Sequence, residues 1–460
     1  MELSEKDFTD TSMNKILKNH RAILFVFALG LLLRLGYVLT LDEKIYWEDE
    51  QDYLALSQRI VQGEGYVDDS GNPTAFRPVG YPLFLTVPQF ISANNVLLIR
   101  IIQALVAALS LLLVYWIAFL VFNKKVAIVA ALWTAVYPYF IFMPGTILPT
   151  TWYSFLLLAA TLALYYGVRK NEAIYFALAA NLYGMSVLVR PSGIALVLAA
   201  GIWLLWRYRQ EKLFSFDRIV LFALIVMFAC APWVYRNYHV LDVPNFASNG
   251  GRNLWLGNNP RSGIQSGSNI EMPAELQRKI DAASSEAVKD RIYKEEAVTF
   301  IRNNPEIFVI NTIGKALAFW RFDPSPTTGG YTKYDFKIRM LGILSFAPVF
   351  LFAFVGYLFA SGRAKKDLNL WLYYAILFTL LHAIFIVKVR FRLPLDHFLI
   401  IAGSYGVIRI WSIEFAWKEK IAAFYKQLWP FKSGVIPNRI DVHSDSYLAQ
   451  KKYTQSEING

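Results

Sequence analysis

A single cysteine, Cys230, stands in the whole sequence, inside an apolar run. One thiol closes no intramolecular disulfide, so no disulfide framework holds this fold and the redox compartment is not legible from cysteine. Histidine is scarce too: His20, His239, His382, His397 and His443 are the five. A metal cage of His and Cys is therefore not expected, and His382 and His397 are read as packing between helices. Charge is thin, with Asp, Glu, Lys and Arg making up 17% of residues against about 25% in ordinary globular chains. There is no Walker loop, HExxH, Gly-x-Ser-x-Gly or CxxC, which removes the common signatures of nucleotide, zinc-hydrolase, serine-hydrolase and dithiol chemistry. No cleavable signal peptide, internal repeat or low-complexity tract is evident.

What fills the chain instead is grease. Hydrophobic residues are 56% and aromatics 16%, with 13 Trp and 26 Tyr, a composition that suits a bilayer and its interfaces. The fold class expected is an all-α polytopic membrane protein. A hydrocarbon core needs about 20 apolar residues per helix. Ten runs qualify: 22–41, 96–122, 125–143, 146–168, 173–190, 191–208, 218–238, 338–360, 369–387 and 393–411. Two shorter stretches do not. Residues 79–91 are interrupted by proline, and 306–322 carries Lys315 in its middle; both are read as helices at or above the membrane surface.

Orientation follows from the basic loops. The net charge is +12, which on a soluble chain would suggest nucleic acid; here Lys and Arg collect in "NKILKNHR", "NKK", "RKNE", "RYRQEKLFSFDR" and "SGRAKKD". With ten spans these fall on one side, the cytoplasm by the positive-inside rule, and no nucleic-acid partner is implied. The organisation expected is a cytoplasmic N-terminus (1–21), a membrane domain (22–411) and a cytoplasmic tail (412–460). Outer loops 42–95 and 240–337 share the opposite face, the second being a sizeable segment before the last three spans.

The first outer loop begins "YWEDEQDYLALSQRIVQGEGY", where four of the five residues from Glu48 to Asp52 are acidic. From Asp49 to Gln62 the pattern is helical, with Tyr53, Leu56 and Ile60 on one stripe. Such a helix is too short to span and should lie flat. Asp49 and Glu50 lie one turn or less before Tyr53 and project toward its side; Asp52 lies away from the stripe. A charged helix start is commonly just a solvated loop favoured by the macrodipole. Its neighbours alter that reading. Arg190, Arg236, Lys388, Arg390 and Arg392 sit at outer ends of spans, with Arg77 and Arg252 in outer loops, where basic residues should be sparse. Snorkelling to headgroups accounts for one or two. A cluster of guanidiniums beside carboxylates suits an anionic, phosphate-bearing ligand. Alternation of Lys388, Arg390 and Arg392 in an extended segment would put them on one face near Asp49, and Pro394 disfavours helix there. Arg34, inside the first span, is read as buried and paired.

Three stretches together resemble the GT-C integral-membrane glycosyltransferases, in the branch akin to protein mannosyltransferases and the lipid A aminoarabinose transferase. They are "WEDEQDYLALSQRIVQGEGY" with "PTAFRPVGYPLFL", "APWVYRNYHVLDVPNFASNGGRNLWLGNNP", and "KVRFRLPLDHFLIIAG". The resemblance runs from about residue 22 to 411. It implies ten or more transmembrane helices with flat juxtamembrane helices in the first outer loop. It also implies a polyprenyl-phosphate sugar donor and transfer outside the cytoplasm. The family's catalytic acid stands at the start of that loop, which carries over to Asp49, with Glu50 beside it. Relatives often show a glutamate near the fourth span's start; Thr150 and Thr151 stand there here, so no second carboxylate is expected from that region.

On this reading Asp49 takes the proton of the attacking hydroxyl, while Arg77, Arg190, Arg236, Lys388, Arg390 and Arg392 bind the donor phosphate. The enzyme would be a hexosyl or pentosyl transferase of the inner membrane, with lipopolysaccharide, another glycan or a protein as acceptor. A carboxylate with an arginine clamp requires no metal; Glu48, Asp49, Glu50 and Asp52 leave a divalent cation as an open alternative. The competing class is a transporter or flippase of a lipid-linked anion, which would want broken midplane helices and an internal repeat.

Overall fold

A computed structural model describes residues 21–45, 47–264, 270–323 and 336–428. The chain divides into two units, 1–410 and 411–460, and every feature below except the continuation of the last helix lies in the first. Eight described helices are long and apolar enough to cross a bilayer. The first is α1 (Arg21–Leu39), which buries Ile23, Val26, Gly30 and Val38 and turns Phe25 and Leu32 outward. Short helices α2 (Glu48–Gln62) and α3 (Gly80–Ile91) follow. Then comes α4 (Val96–Val121), a 26-residue helix at the centre of the packing.

The third expected span is broken. Helix α5 (Lys124–Val136) meets α6 (Pro138–Phe142) with a bend of 58°. Pro138 has no N–H and pushes Tyr137 out of the α region, to φ −68° and ψ 116°. Carbonyls of the preceding turn then lack partners, which is costly in hydrocarbon. Arg34 supplies them: its guanidinium donates to Thr134 O (3.1 Å), Ala135 O (3.2 Å) and Gly30 O (2.9 Å). The buried arginine of the first span is thus paired with backbone, and its place is explained by a proline a hundred residues away.

Helix α7 (Thr150–Lys170) pairs with α8 (Ala173–Val189). At 17 residues, α8 is about 26 Å long, the shortest of the ten expected spans left unbroken. Pro191 ends it by holding Arg190 extended at φ −150°. Helices α9 (Ile194–Glu211) and α10 (Asp217–Leu241) complete the first group. Helices α11 (Gly250–Gly257), α12 (Ala274–Asp281) and α13 (Glu286–Asn303) then form a small extramembrane layer. It has its own core of Trp255, Leu256, Leu276, Ile280, Tyr293 and Ala297.

Helix α14 (Pro305–Phe319) has 15 residues and turns Ile310, Ile313 and Leu317 outward. Lys315 is buried and donates to Gly257 O at 2.6 Å. The last spans are α15 (Phe336–Phe359), α16 (Gly362–Ile384) and the start of α17 (Val389–Leu428). Helices α15 and α17 touch through glycine. A Cβ on Gly356 would lie 1.9 Å from Ala402 O, and one on Gly406 would lie 2.3 Å from Phe352 O, the backbone approach that small residues permit between membrane helices.

Buried ion pairs fix which helix ends lie together. Asp367 binds Arg169 (2.7 Å) and Arg207 (2.9 Å), and Lys366 and Arg207 share Glu211. The basic loops after α7 and α9 and before α16 therefore meet at one end of the bundle, as their common charge suggests. At the other end meet the loops that carry Asp49, Ile147, Arg190 and Lys388. Because Arg207 and Asp367 share an end, an even number of crossings separates them. Helices α10 and α15 are long enough to supply those two, and α14, at 15 residues, is not among the described helices long and apolar enough to span.

Candidate functional site

The first acidic run starts α2, and two of its carboxylates have different fates. Glu50 occupies the third helical position and accepts the Trp47 N–H at 3.2 Å, the reciprocal arm of a capping box. Its other oxygen accepts the Ile147 N–H at 2.7 Å, and the side chain is buried. Glu50 thereby pins α2 against the loop before α7. Asp49, about 100° around the helix, faces the end of the bundle where the loops of Arg190 and Lys388 meet. There Arg77 donates to one Asp49 oxygen and Arg390 to the other, each at 2.7 Å. Arg77 also grips Asp52 through Nε (3.0 Å) and Nη2 (2.7 Å), and its guanidinium lies near the rings of Phe76 (5.0 Å) and Tyr53 (5.4 Å).

Two more cations stand beside this pair. Arg190, aimed by the extended residue before Pro191, lies 4.6 Å from the Phe391 ring and 5.8 Å from the Tyr153 ring. Its Nη1 is buried without a hydrogen-bond partner among the described residues. Lys388, in the loop before α17, adds its charge to the field at Asp49. Four cations (Arg77, Arg190, Lys388, Arg390) thus surround two carboxylates (Asp49, Asp52), with Arg252 near enough to act on Lys388.

The electrostatics follow. Burial alone would raise the Asp49 carboxyl, but Arg77, Arg390 and Lys388 outweigh it and hold the group well below the usual carboxylate range. Burial, then the neighbouring Arg390, lowers the Lys388 ammonium to about 8. Burial and Arg390 also lower Arg190 to about 10. An excess of desolvated positive charge with an unused donor has the chemistry that would suit an anion.

Several expectations need correction. The 388–392 segment is not extended: α17 begins at Val389 and passes through Pro394. The first turn of a helix has free N–H groups in any case, and a chain entering hydrocarbon satisfies its backbone by coiling; together these outweigh the proline. Arg390 and Arg392 then diverge by roughly 200°. Arg392 is wholly buried, bonded to Asp396 (2.9 Å) and to Arg321 O (2.8 Å), while Asp396 also accepts from Tyr137 at 3.0 Å. It ties α17 to the α5–α6 break and is not at the anion site.

Arg236 is likewise elsewhere: it donates to Thr74 O (2.7 Å) and Tyr66 O (2.9 Å), 5.0 Å from the Trp233 ring, and staples the loop between α2 and α3. Glu50 is a positioning group, bonded to backbone N–H rather than to the arginines. Asp52, set aside by helical pattern alone, shares Arg77 with Asp49. Nor do the four acids converge on a cation. Asp49 and Asp52 are engaged with arginine and Glu50 with backbone N–H, and no three Asp, Glu, His or Cys among the described residues are placed to hold a metal. His382 and His397 do pack between helices, the first against Phe391 at 5.1 Å and Phe319 at 5.5 Å and the second against Phe140 at 3.8 Å. Tyr153 beside Arg190 carries no sequence signal, since nothing in a lone tyrosine inside a span marks it.

Residues 77–235 match the family described as dolichyl-phosphate-mannose-protein mannosyltransferase. No curated protein sequence matches the chain. Among solved structures, the archaeal oligosaccharyltransferase AglB from Archaeoglobus fulgidus, in complex with an inhibitory peptide and a dolichol-phosphate, aligns over 92% of this chain at 15% identity with a TM-score of 0.51. The same organism's enzyme with Zn and sulfate aligns over 88% at 16% identity, TM-score 0.50. The chain spans only about half of these proteins, 53% and 51% of their lengths. ArnT from Cupriavidus metallidurans bound to undecaprenyl phosphate aligns over 84% of this chain and 77% of its own, at 12% identity and TM-score 0.44. The family match covers residues 77–235, and over most of its length the chain has the fold of these integral-membrane oligosaccharyltransferases.

Proposed function

We propose that this chain transfers a sugar from a polyprenyl-phosphate donor to an acceptor hydroxyl on the outer, extracytoplasmic face of the inner membrane. It would act as a hexosyl or pentosyl transferase whose membrane domain covers 22–411. The observation that carries this reading is Asp49 held between Arg77 and Arg390 at 2.7 Å each, beside the buried, partnerless Nη1 of Arg190. A phosphate is the ligand such a cluster fits, and the dolichol-phosphate bound by a protein of the same fold supports a lipid-linked one.

In the transfer the bond between the anomeric carbon and the phosphate oxygen breaks, its electron pair leaving on the phosphate. The acceptor oxygen bonds to the anomeric carbon, and its proton passes to a carboxylate oxygen of Asp49. Arg190, Lys388 and Arg390 meet the growing charge on the leaving phosphate. Clamped by two guanidiniums, Asp49 is a weak base. Donor phosphate competes for Arg77 and Arg390, so the carboxylate gains basicity as substrate binds. Glu50 and Asp52 act at one remove, by holding α2 and Arg77. The acceptor is a lipid, glycan or protein that bears a hydroxyl and reaches the outer layer.

The test is purified protein with a polyprenyl-phosphate sugar, reading release of polyprenyl phosphate. Asp49→Asn keeps shape and loses basicity; release should stop while the thermal transition stays in place. Near-normal turnover by that variant would remove Asp49 from the chemistry, and no release by the unmodified protein with any donor sugar would remove the function.

A further inference from the structure

A cavity with polar walls lies in the extramembrane layer, outside the cation cluster. It has a volume of about 170 Å³ and is lined by Phe76, Ser248, Arg252, Ile280, Glu286, Lys289, Asp290 and Tyr293. At the roughly 30 Å³ that one water occupies in the liquid, that volume is about six waters, room for one polar molecule of monosaccharide size. We propose that this cavity binds a single sugar ring of the acceptor; as an acceptor site it rests on the transfer function above.

The walls are built, not incidental. Glu286 opens α13 and is held by Ala75 N–H (2.9 Å), Thr74 and Ser248, which ties the layer to the first outer loop. Asp290 is oriented by the Arg252 N–H at 3.2 Å. It can come that close because Gly251 carries no side chain: a Cβ there would lie 2.0 Å from Asp290 O. Burial raises both carboxyls.

The chemistry selects among ligand classes. An acyl or polyprenyl chain would meet four charged side chains. A phosphate would meet the Glu286 and Asp290 carboxylates, and the cation cluster nearby serves it better. A polyol finds donors in Lys289 and Arg252, an acceptor in Asp290, and ring faces in Phe76 and Tyr293, the pattern of a small site with a few convergent polar groups. The position suits an acceptor. Phe76 adjoins Arg77, the Arg252 guanidinium lies 5.9 Å from the Phe76 ring, and Arg252 acts on Lys388, so the cavity borders the cation cluster.

The test uses the full chain in lipid nanodiscs with methyl hexopyranosides of gluco, galacto and manno configuration, followed by saturation-transfer NMR. At least one glycoside should bind. Its affinity should fall about threefold or more, the loss of a hydrogen bond, in Lys289→Ala and in Asp290→Asn. Lys289 is exposed and Asn is isosteric with Asp, so both variants should fold, as their thermal transitions will report. Inorganic phosphate should not displace the glycoside. Absence of glycoside binding, unchanged affinity in both variants, or displacement by phosphate would each overturn the proposal. The two readings fail separately. Donor release without glycoside binding removes the sugar site alone. Glycoside binding through this cavity without donor release removes the transferase reading alone.

Discussion

Arg390 and Arg392 are two residues apart and have unlike environments. Arg390 reaches Asp49 at the mouth of the site, while Arg392 is sealed with Asp396 and Tyr137. Their alanine variants should therefore separate. Arg390→Ala loses a charged hydrogen bond to the phosphate, about 1.5–3 kcal/mol, so donor affinity should fall roughly tenfold to a hundredfold with little change in melting. Arg392→Ala strands the Asp396 carboxylate in the interior, which costs about 3–5 kcal/mol; the readout is thermal unfolding, with donor affinity preserved in whatever folds. Arg390→Lys should rescue only in part, because an ammonium lacks the planar fork. Lys388 gives a pH signature. Its ammonium is lowered to about 8, so donor affinity should decline as pH rises through that value, and Lys388→Arg should abolish the inflection. The sign for folding is opposite. The unfolded chain binds that proton more tightly, so this group's contribution to stability grows as pH climbs from about 8 toward the ordinary lysine value of about 10.4. Isothermal titration with a polyprenyl phosphate across that range, beside thermal melts, reads both.

At the scale of elements, three prolines and a few glycines do what hydropathy cannot record. Pro138 breaks the third span and calls in Arg34. Pro191 stops α8 and aims Arg190, while Pro394 is absorbed by α17. Gly356 and Gly406 let α15 and α17 touch backbone to backbone. Gly356→Leu would drive side-chain atoms into the Ala402 carbonyl. Overpacking of this kind costs about 1–3 kcal/mol, so the variant should melt lower or lose α15 from the bundle. An unchanged melting temperature in nanodiscs would contradict the close contact. Asp52 belongs to this scale as well. It holds Arg77 from the next turn of α2, so Asp52→Asn should reduce turnover while sparing the fold, by less than Asp49→Asn does.

For the whole molecule, the Asp367 cluster at one end and the Asp49 cluster at the other divide the loops into two sets. If the basic set is cytoplasmic, a reporter fused after Ile270 reads extracytoplasmic, and fusions after Lys124 and Gly362 read cytoplasmic. A cytoplasmic signal after Ile270 would invert the topology and place the site on the wrong face for the proposed donor. That arrangement also accounts for the +12 charge, much of it on the loops that gather around Asp367.

Apolar length and loop charge are local sums, and they determined much of this: helical class, the positions of most long apolar helices, and the short α2, α3 and α14. The acidic run and its outer arginines were also visible as a misplaced cluster of charge. Which arginine serves which carboxylate was not. A side chain's partner depends on helix phase and on the element packed against it, and neither is carried by spacing alone. A two-residue alternation reads as one face in a strand and as opposite faces in a helix. The helical start of α17 therefore kept Arg390 at Asp49 and sent Arg392 to Asp396. Glu50 and Asp52 exchanged their expected weight for the same reason. Tertiary packing brought Ile147 to the first and Arg77 to the second, from loops 97 and 25 residues away.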